Sequence, residues 1–128
     1  MNSYERALDF ITGGPEKRKK KIKAEIEYLQ KKIAEHFNLS PSILTERKRP
    51  KEYVLPRQIA MFLSKEITGY YFKQIGECFS RDHTTIIHAY YKIKDQIEKD
   101  SSFKQKITQL SYLIQEHLKK FKNEKLQG

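Results

Sequence analysis

The chain has one cysteine, Cys78, and no tryptophan. A lone thiol cannot close an internal disulfide, so no covalent framework stands behind the fold, which fits a reducing compartment. Long apolar runs are missing too. No stretch approaches the roughly 18 residues that cross a bilayer, and Met1-Asn2-Ser3-Tyr4 lacks the charged and apolar regions of a signal peptide. These absences exclude a membrane role and point to the cytoplasm. His36, His83, His88 and His117 fall at no established zinc spacing with Cys78, the pair His83/His88 being five apart instead of four. No metal is expected. No Gly-x-x-x-x-Gly-Lys-Ser/Thr loop is present to cradle a nucleotide, so no cofactor is expected either. Asp82 beside His83 has the composition of half a catalytic triad, but Thr84 and Thr85 lack an activating arrangement. An enzyme is not expected. Acidic residues are scarce, 16 against 26 Lys and Arg. The net charge of +10 makes a polyanion the default partner; a merely solubilising surface would not require such a bias in sign.

What remains is helical periodicity. With 128 residues there is room for one domain with a modest core and not for two. Ile22, Ile26, Leu29, Ile33 and Phe37 recur at the spacing that puts apolar groups on one helix face, in a helix predicted to end near Asn38. Ser40 as N-cap, Pro41 at the first helical position and a Leu39/Leu44 staple predict a short helix. Residues 45–53 are polar, basic and split by Pro50, which predicts a loop. Pro56 should open the next helix, with Ile59, Phe62, Leu63 and Ile67 inward and Gly69 as its stop. Ser102 with Gln105 reads as a capping box for a last helix carrying Phe103, Ile107, Leu110, Ile114, Leu118 and Phe121 on one face. Cys78, on the apolar side of its helix, is expected to be a small core residue.

Strand-like alternation is absent, so the fold class is all-α. Gly13-Gly14-Pro15 sets off residues 1–15, with Tyr4, Leu8 and Ile11 on one side. Docking on the domain, meeting a partner and staying mobile are all open for this leader. Residues 16–121 form the domain and 122–128 a frayed tail. The basic run from Glu16 to Lys23 opposes the dipole of its helix. It is either a solvated, frayed end or a phosphate-contacting arm.

The stretch from Arg81 to Ala89 is the most informative. Ile75-Gly76-Glu77-Cys78-Phe79 reads as a helix, Ser80-Arg81 as a turn, and Asp82-His83-Thr84-Thr85 as the start of a second helix. Ile75, Phe79 and Ile86 sit where a helix-turn-helix needs apolar residues, and Ile86, Tyr90, Ile93 and Ile97 continue the core stripe. Asp82 to Thr85 would then face outward from the first turn, where such motifs reach base edges in the major groove. Capping explains one polar residue at a helix start, not four in a row.

From about Glu25 to Gln115 the chain resembles the C-terminal DNA-binding domain of the bacterial replication initiator DnaA. Three segments in order carry the likeness: Ile33-Ala34-Glu35-His36-Phe37 with Ser42-Ile43-Leu44, Val54-Leu55-Pro56-Arg57-Gln58-Ile59-Ala60-Met61, and Arg81 through Thr85 with His88-Ala89. The resemblance implies a Trp-repressor-like helix-turn-helix bundle and assigns roles. Asp82, His83 and Thr84 match base-reading positions, and Asp and Thr suit cytosine amino and thymine methyl groups. Thr85, Arg57 and Gln58 match backbone-binding positions, with helix N-terminal N–H groups as a further anion attractor. Lys65 matches a basic residue facing the groove, and Arg49 the arginine that enters the minor groove, where A·T tracts concentrate negative potential. Without the likeness, Arg47 to Lys51 reads equally as a solvated charge run. Arg81 and Lys92 are further phosphate candidates. His88 fits DNA contact and a hydrogen-bonded, partly buried role equally.

The chain departs from the family at the turn, where Phe79-Ser80-Arg81 is one residue short of the usual spacing, and at Phe72-Lys73, where Leu-Pro is common. The fold is expected to survive the shorter turn with a slightly altered helix setting. Thymine-methyl contacts from the second element are put in question, and Lys73 is a candidate to replace them with a phosphate contact. Without a nucleotide-binding module ahead of the domain, the chain is expected to be a free-standing small protein or a cut fragment. Together these features predict sequence-specific double-stranded DNA binding at DnaA-box-like sites, in replication initiation or its regulation, by a nucleoid-associated protein without ATPase. The initiator and other replication proteins are further candidate partners. The rival readings are a replication-associated protein–protein interaction module or transcriptional regulator with secondary DNA binding, and non-specific packaging by charge.

Overall fold

A computed structural model describes residues 3–47 and 50–127. The described residues form six α-helices and one 3₁₀ helix: α1 (Ser3–Thr12), α2 (Pro15–His36), the 3₁₀ helix (Pro41–Leu44), α3 (Lys51–Thr68), α4 (Phe72–Phe79), α5 (His83–Lys99) and α6 (Ser101–Gln127). No strand occurs among the described residues. Gly13 and Gly14, at φ 87° and 103°, break the chain between α1 and α2, and Pro15 takes the first helical position. Within the leader, Ser3–Thr12 is helical. Tyr4 and Ile11 stand exposed on it, while the Leu8 side chain lies outside the described residues. The basic run is helical as well.

The end of α2 shows how local chemistry stops a helix. Asn38 adopts the left-handed conformation at φ 56°, and the Leu39 N–H donates to the Ala34 carbonyl at 2.8 Å. That pairing satisfies carbonyls the helix end would otherwise leave open. At α3, Gly69 does the same at φ 70°, its N–H donating to Lys65 O.

Three boundaries differ from the sequence reading. α3 begins at Lys51, so residues 51–53 are helical and Pro56 lies inside the helix. The missing Pro56 N–H removes only the bond to the Glu52 carbonyl, close to the helix start, where the loss is smallest. The last helix begins at Ser101, because Asp100 Oδ1 accepts the Phe103 N–H at 3.1 Å. Asp100 is the cap, and the Ser102/Gln105 box is not used. The chain after Phe121 continues as helix to Gln127. Lys122 Nζ there lies 3.5 Å from Glu25 Oε1, and Phe121 stacks on Tyr28 with centroids 4.3 Å apart.

A single core fills the bundle, with Ile26, Leu29, Ile33, Leu44, Leu63, Ile75, Phe79, Ile86, Ile93 and Ile114 fully buried. Each such side chain contributes about 1.5–3 kcal/mol of burial. α5 packs on α3, α4 and α6 at once, which gives its first turn a rigid base. The one buried carboxylate among the described residues, Glu25, is matched on both oxygens: Lys122 faces Oε1 and Tyr70 Oη donates to Oε2 at 2.6 Å. Burial, then that bond, push the Tyr70 phenol above its usual range. Cys78 is half-buried against the core, and burial raises its thiol to about 11.

The α4–α5 corner is tight. A β-carbon on Gly76 would sit 2.6 Å from the Arg81 carbonyl oxygen, which is backbone and cannot swing away. Gly76→Ala should therefore destabilise the fold by about 1–3 kcal/mol, read from urea denaturation; an unchanged midpoint would show that the corner is not close-packed.

Candidate nucleic-acid interface

The helix-turn-helix is built around Ser80. It takes the left-handed conformation at φ 53°, the Arg81 N–H donates to Gly76 O at 2.9 Å, and the Ser80 N–H to Glu77 O. This is the helix-ending pattern of α2 again, with serine where glycine is usual. Asp82 then begins α5 with extended backbone, and its main-chain carbonyl receives the Thr85 and Ile86 N–H groups. Its side chain makes no capping bond. Instead, His83 Nδ1 lies 2.9 Å from Asp82 Oδ1. With Nδ1 engaged there, Nε2 is the ring's remaining hydrogen-bonding nitrogen. Asp82, His83, Thr84 and Thr85 are all exposed.

Beside this turn runs a cleft of about 330 Å³ between α3 and α5. Arg57, Gln58 and Met61 line it from α3, and Thr85, His88, Ala89 and Lys92 from α5, with Arg81 at its end. Among the described residues no carboxylate lines it, so the charged side chains there are all cations. His88 and Lys92 are exposed, one and two turns beyond Thr85. The partly buried role weighed for His88 does not hold.

Two arginines have tasks the sequence did not reveal. Arg57 is only 5% exposed, and its Nε donates to the Ile43 carbonyl at 2.6 Å, holding α3 to the 3₁₀ helix. One terminal nitrogen, Nη2, is buried without a hydrogen-bond partner. Because α3 starts at Lys51, Arg57 and Gln58 lie in its second turn, and no open helix N-terminus presents N–H groups beside them. Arg81 donates from Nη1 to the carbonyls of Thr45 (3.1 Å), Ser80 (3.2 Å) and Phe79 (3.4 Å), and from Nη2 to the Glu46 carbonyl. It clamps the stem of the basic loop to the helix-turn-helix turn. A guanidinium suits this task, with five donors on one rigid fork.

Lys65 does not join the cleft. Its Nζ donates to Tyr70 O at 2.8 Å and sits 4.5 Å above the Phe72 ring centre, bracing the α3–α4 corner. Arg49, with Lys48, lies outside the described residues. Six candidates therefore share one cleft (Arg57, Gln58, Arg81, Thr85, His88, Lys92), and Asp82, His83 and Thr84 adjoin it on the first turn of α5. Carbonyl clamps like those of Arg57 and Arg81 leave no sequence signal, because every residue carries a carbonyl. Arg81→Ala should release the loop stem and speed tryptic cleavage after Arg47 about tenfold or more, corresponding to loss of at least 1.4 kcal/mol of local protection. An unchanged rate would mean that the clamp does not hold the loop.

Comparison with known proteins places this geometry. The family described as bacterial dnaA protein helix-turn-helix matches residues 26–93. The chain is 39% identical over 89 residues to the chromosomal replication initiator protein DnaA of Caldanaerobacter subterraneus subsp. tengcongensis, covering 70% of this chain and 20% of that protein. It is 42% identical over 86 residues to the DnaA of Geotalea daltonii, covering 66% and 19%. A crystal structure of a DNA replication initiation factor superposes with a TM-score of 0.78 at 25% identity, over 88% of this chain and 35% of that one. The chain spans about a fifth of the length of the curated relatives it matches. With the helix-turn-helix, its flanking helices and the matched segments in one order, the chain belongs to the bacterial DnaA helix-turn-helix family.

Proposed function

We propose that this domain binds double-stranded DNA with sequence preference, at short asymmetric sites like the initiator's box, and serves replication initiation or its control in the cytoplasm, at the nucleoid. The observation that carries the reading is the first turn of α5. Asp82 could have capped its helix and does not. Four hydrogen-bonding side chains instead stand exposed beside a cleft lined by cations and no acid.

Docked in a major groove, this turn divides the work in two. Asp82, His83 and Thr84 meet base edges: the carboxylate accepts from a cytosine amino group, the His83 Nε2 accepts or donates with its protonation state, and Thr84 offers a hydroxyl and a methyl. Gln58, Thr85, His88 and Lys92 meet the phosphates flanking the groove and set register. Arg57 and Arg81 contribute positive potential from beneath, and their hydrogen bonds hold the surfaces that touch DNA. Arg49 reaches the adjoining minor groove from the loop whose stem Arg81 clamps. Lys65 adds charge at the edge of α3 while its ammonium stays on the Tyr70 carbonyl.

Base readers and phosphate contacts respond differently to substitution. His83→Ala and Thr84→Ala should each lower the preference for a box duplex over random duplex by about 1–3 kcal/mol. Lys92→Ala should weaken both duplexes alike and reduce the log–log salt slope by about 0.9. Competition titrations at two salt concentrations measure both effects. Retention of full preference by both α5 variants would remove the base-reading assignment.

A further inference from the structure

We infer that the cleft between the N-terminal half of α2 and α4 is a second phosphate track, which takes the duplex backbone beyond the bases read by α5. The inference rests on the DNA-binding reading above. It concerns a different face of the domain, on the far side of the turn from the cleft between α3 and α5.

This cleft, of about 780 Å³, is the larger of the two. Arg18, Lys19 and Lys23 line one wall from α2, and Lys73 and Gln74 the other from α4. Ser80 and Thr45 close the end next to the reading turn. Two carboxylates also line it, Glu27 and Glu77. Glu27 sits 3.9 Å from Lys23 and offsets part of its charge. Among the described residues, four cations against two carboxylates line it. Lys19 and Lys73, on opposite walls, are exposed, and neither has an ion-pair partner among the described residues.

Two physical arguments point to a duplex backbone as the occupant. In a helix-turn-helix, the first helix crosses the sugar–phosphate backbone while the second enters the groove. Here the first helix is α4, and Lys73 lies in its first turn. A strand crossing α4 at Lys73 has the basic turns of α2 as its opposite wall. The second argument is a stability conflict. Lys17 to Lys21 crowd five cations into the start of α2, where the helix dipole disfavours positive charge. The segment is helical regardless from Pro15, anchored by Ile22 and Ile26 in the core. Two of those five cations, Arg18 and Lys19, line the cleft, and charge held there against its own helix dipole fits a ligand of opposite sign.

The test compares two duplexes that share one box, a minimal one and one longer by a helical turn at each end, with random-sequence duplexes of both lengths. Wild-type protein should bind the longer duplexes with a log–log salt slope steeper by about 2, at roughly 0.9 per added phosphate contact. Lys19→Gln/Lys73→Gln should abolish that difference on box and random DNA alike, while keeping the box preference. Lys104→Gln/Lys106→Gln, an equal charge change on α6 outside both clefts, should retain it. Thermal melting separates this from a folding defect: Lys19→Gln relieves the helix dipole, so the double variant should melt no lower than wild type. Equal slopes for short and long duplexes in wild type, or a length effect that survives Lys19→Gln/Lys73→Gln, would overturn the track. Loss of box preference with the length effect intact would instead count against the α5 reading alone.

Discussion

The carbonyl oxygen of Arg81 occupies the space that a β-carbon on Gly76 would fill, and the Arg81 N–H bonds back to the Gly76 carbonyl. That close approach of two backbones sets the angle between α4 and α5. It lets Ile75, Phe79 and Ile86 meet in the core, and it turns Asp82, His83 and Thr84 outward. The Arg81 guanidinium then reaches the carbonyls of Thr45 and Glu46, so one residue fixes both the reading helix and the root of the basic loop. The proposed reading of two grooves needs its two elements in fixed relation. A bidentate clamp on backbone supplies that without depending on which side chains the loop carries.

Electrostatics divide the molecule along the same line. The buried carboxylate Glu25 is neutralised locally by Lys122 and Tyr70, as an ion removed from water must be. Lys65 is likewise occupied at the α3–α4 corner. Among the described residues, the two clefts that flank the turn each hold more cations than carboxylates, one with no acid and one with two. Helix α5, braced by α3, α4 and α6, gives the stretch between them a rigid base.

Particular residues show what was readable in the chain. The apolar stripes of α2, α5 and α6 and the stop at Gly69 follow from periodicity and backbone chemistry, because burial and left-handed conformations act locally. The polar run at Asp82–Thr85 stood out because nothing local required it. Pro56 misled: proline marks a helix start only when no earlier residue begins the helix, and Lys51 does. Ser102 misled because Asp100, two residues earlier, forms the cap first. The clamps of Arg57 and Arg81 and the occupation of Lys65 could not be read at all. Their acceptors are backbone carbonyls, some of them distant in sequence, and such partners leave no trace in side-chain composition.

The central claim is that the first turn of α5 reads a defined sequence. Selection from a random duplex library with the unmodified chain, at moderate salt and with excess competitor DNA, tests it without assuming the target. Enrichment of one short, asymmetric motif is the expected result, since three adjoining side chains and one loop specify only a few base pairs. Recovery of random sequences with no common motif would contradict it and leave charge alone as the basis of binding.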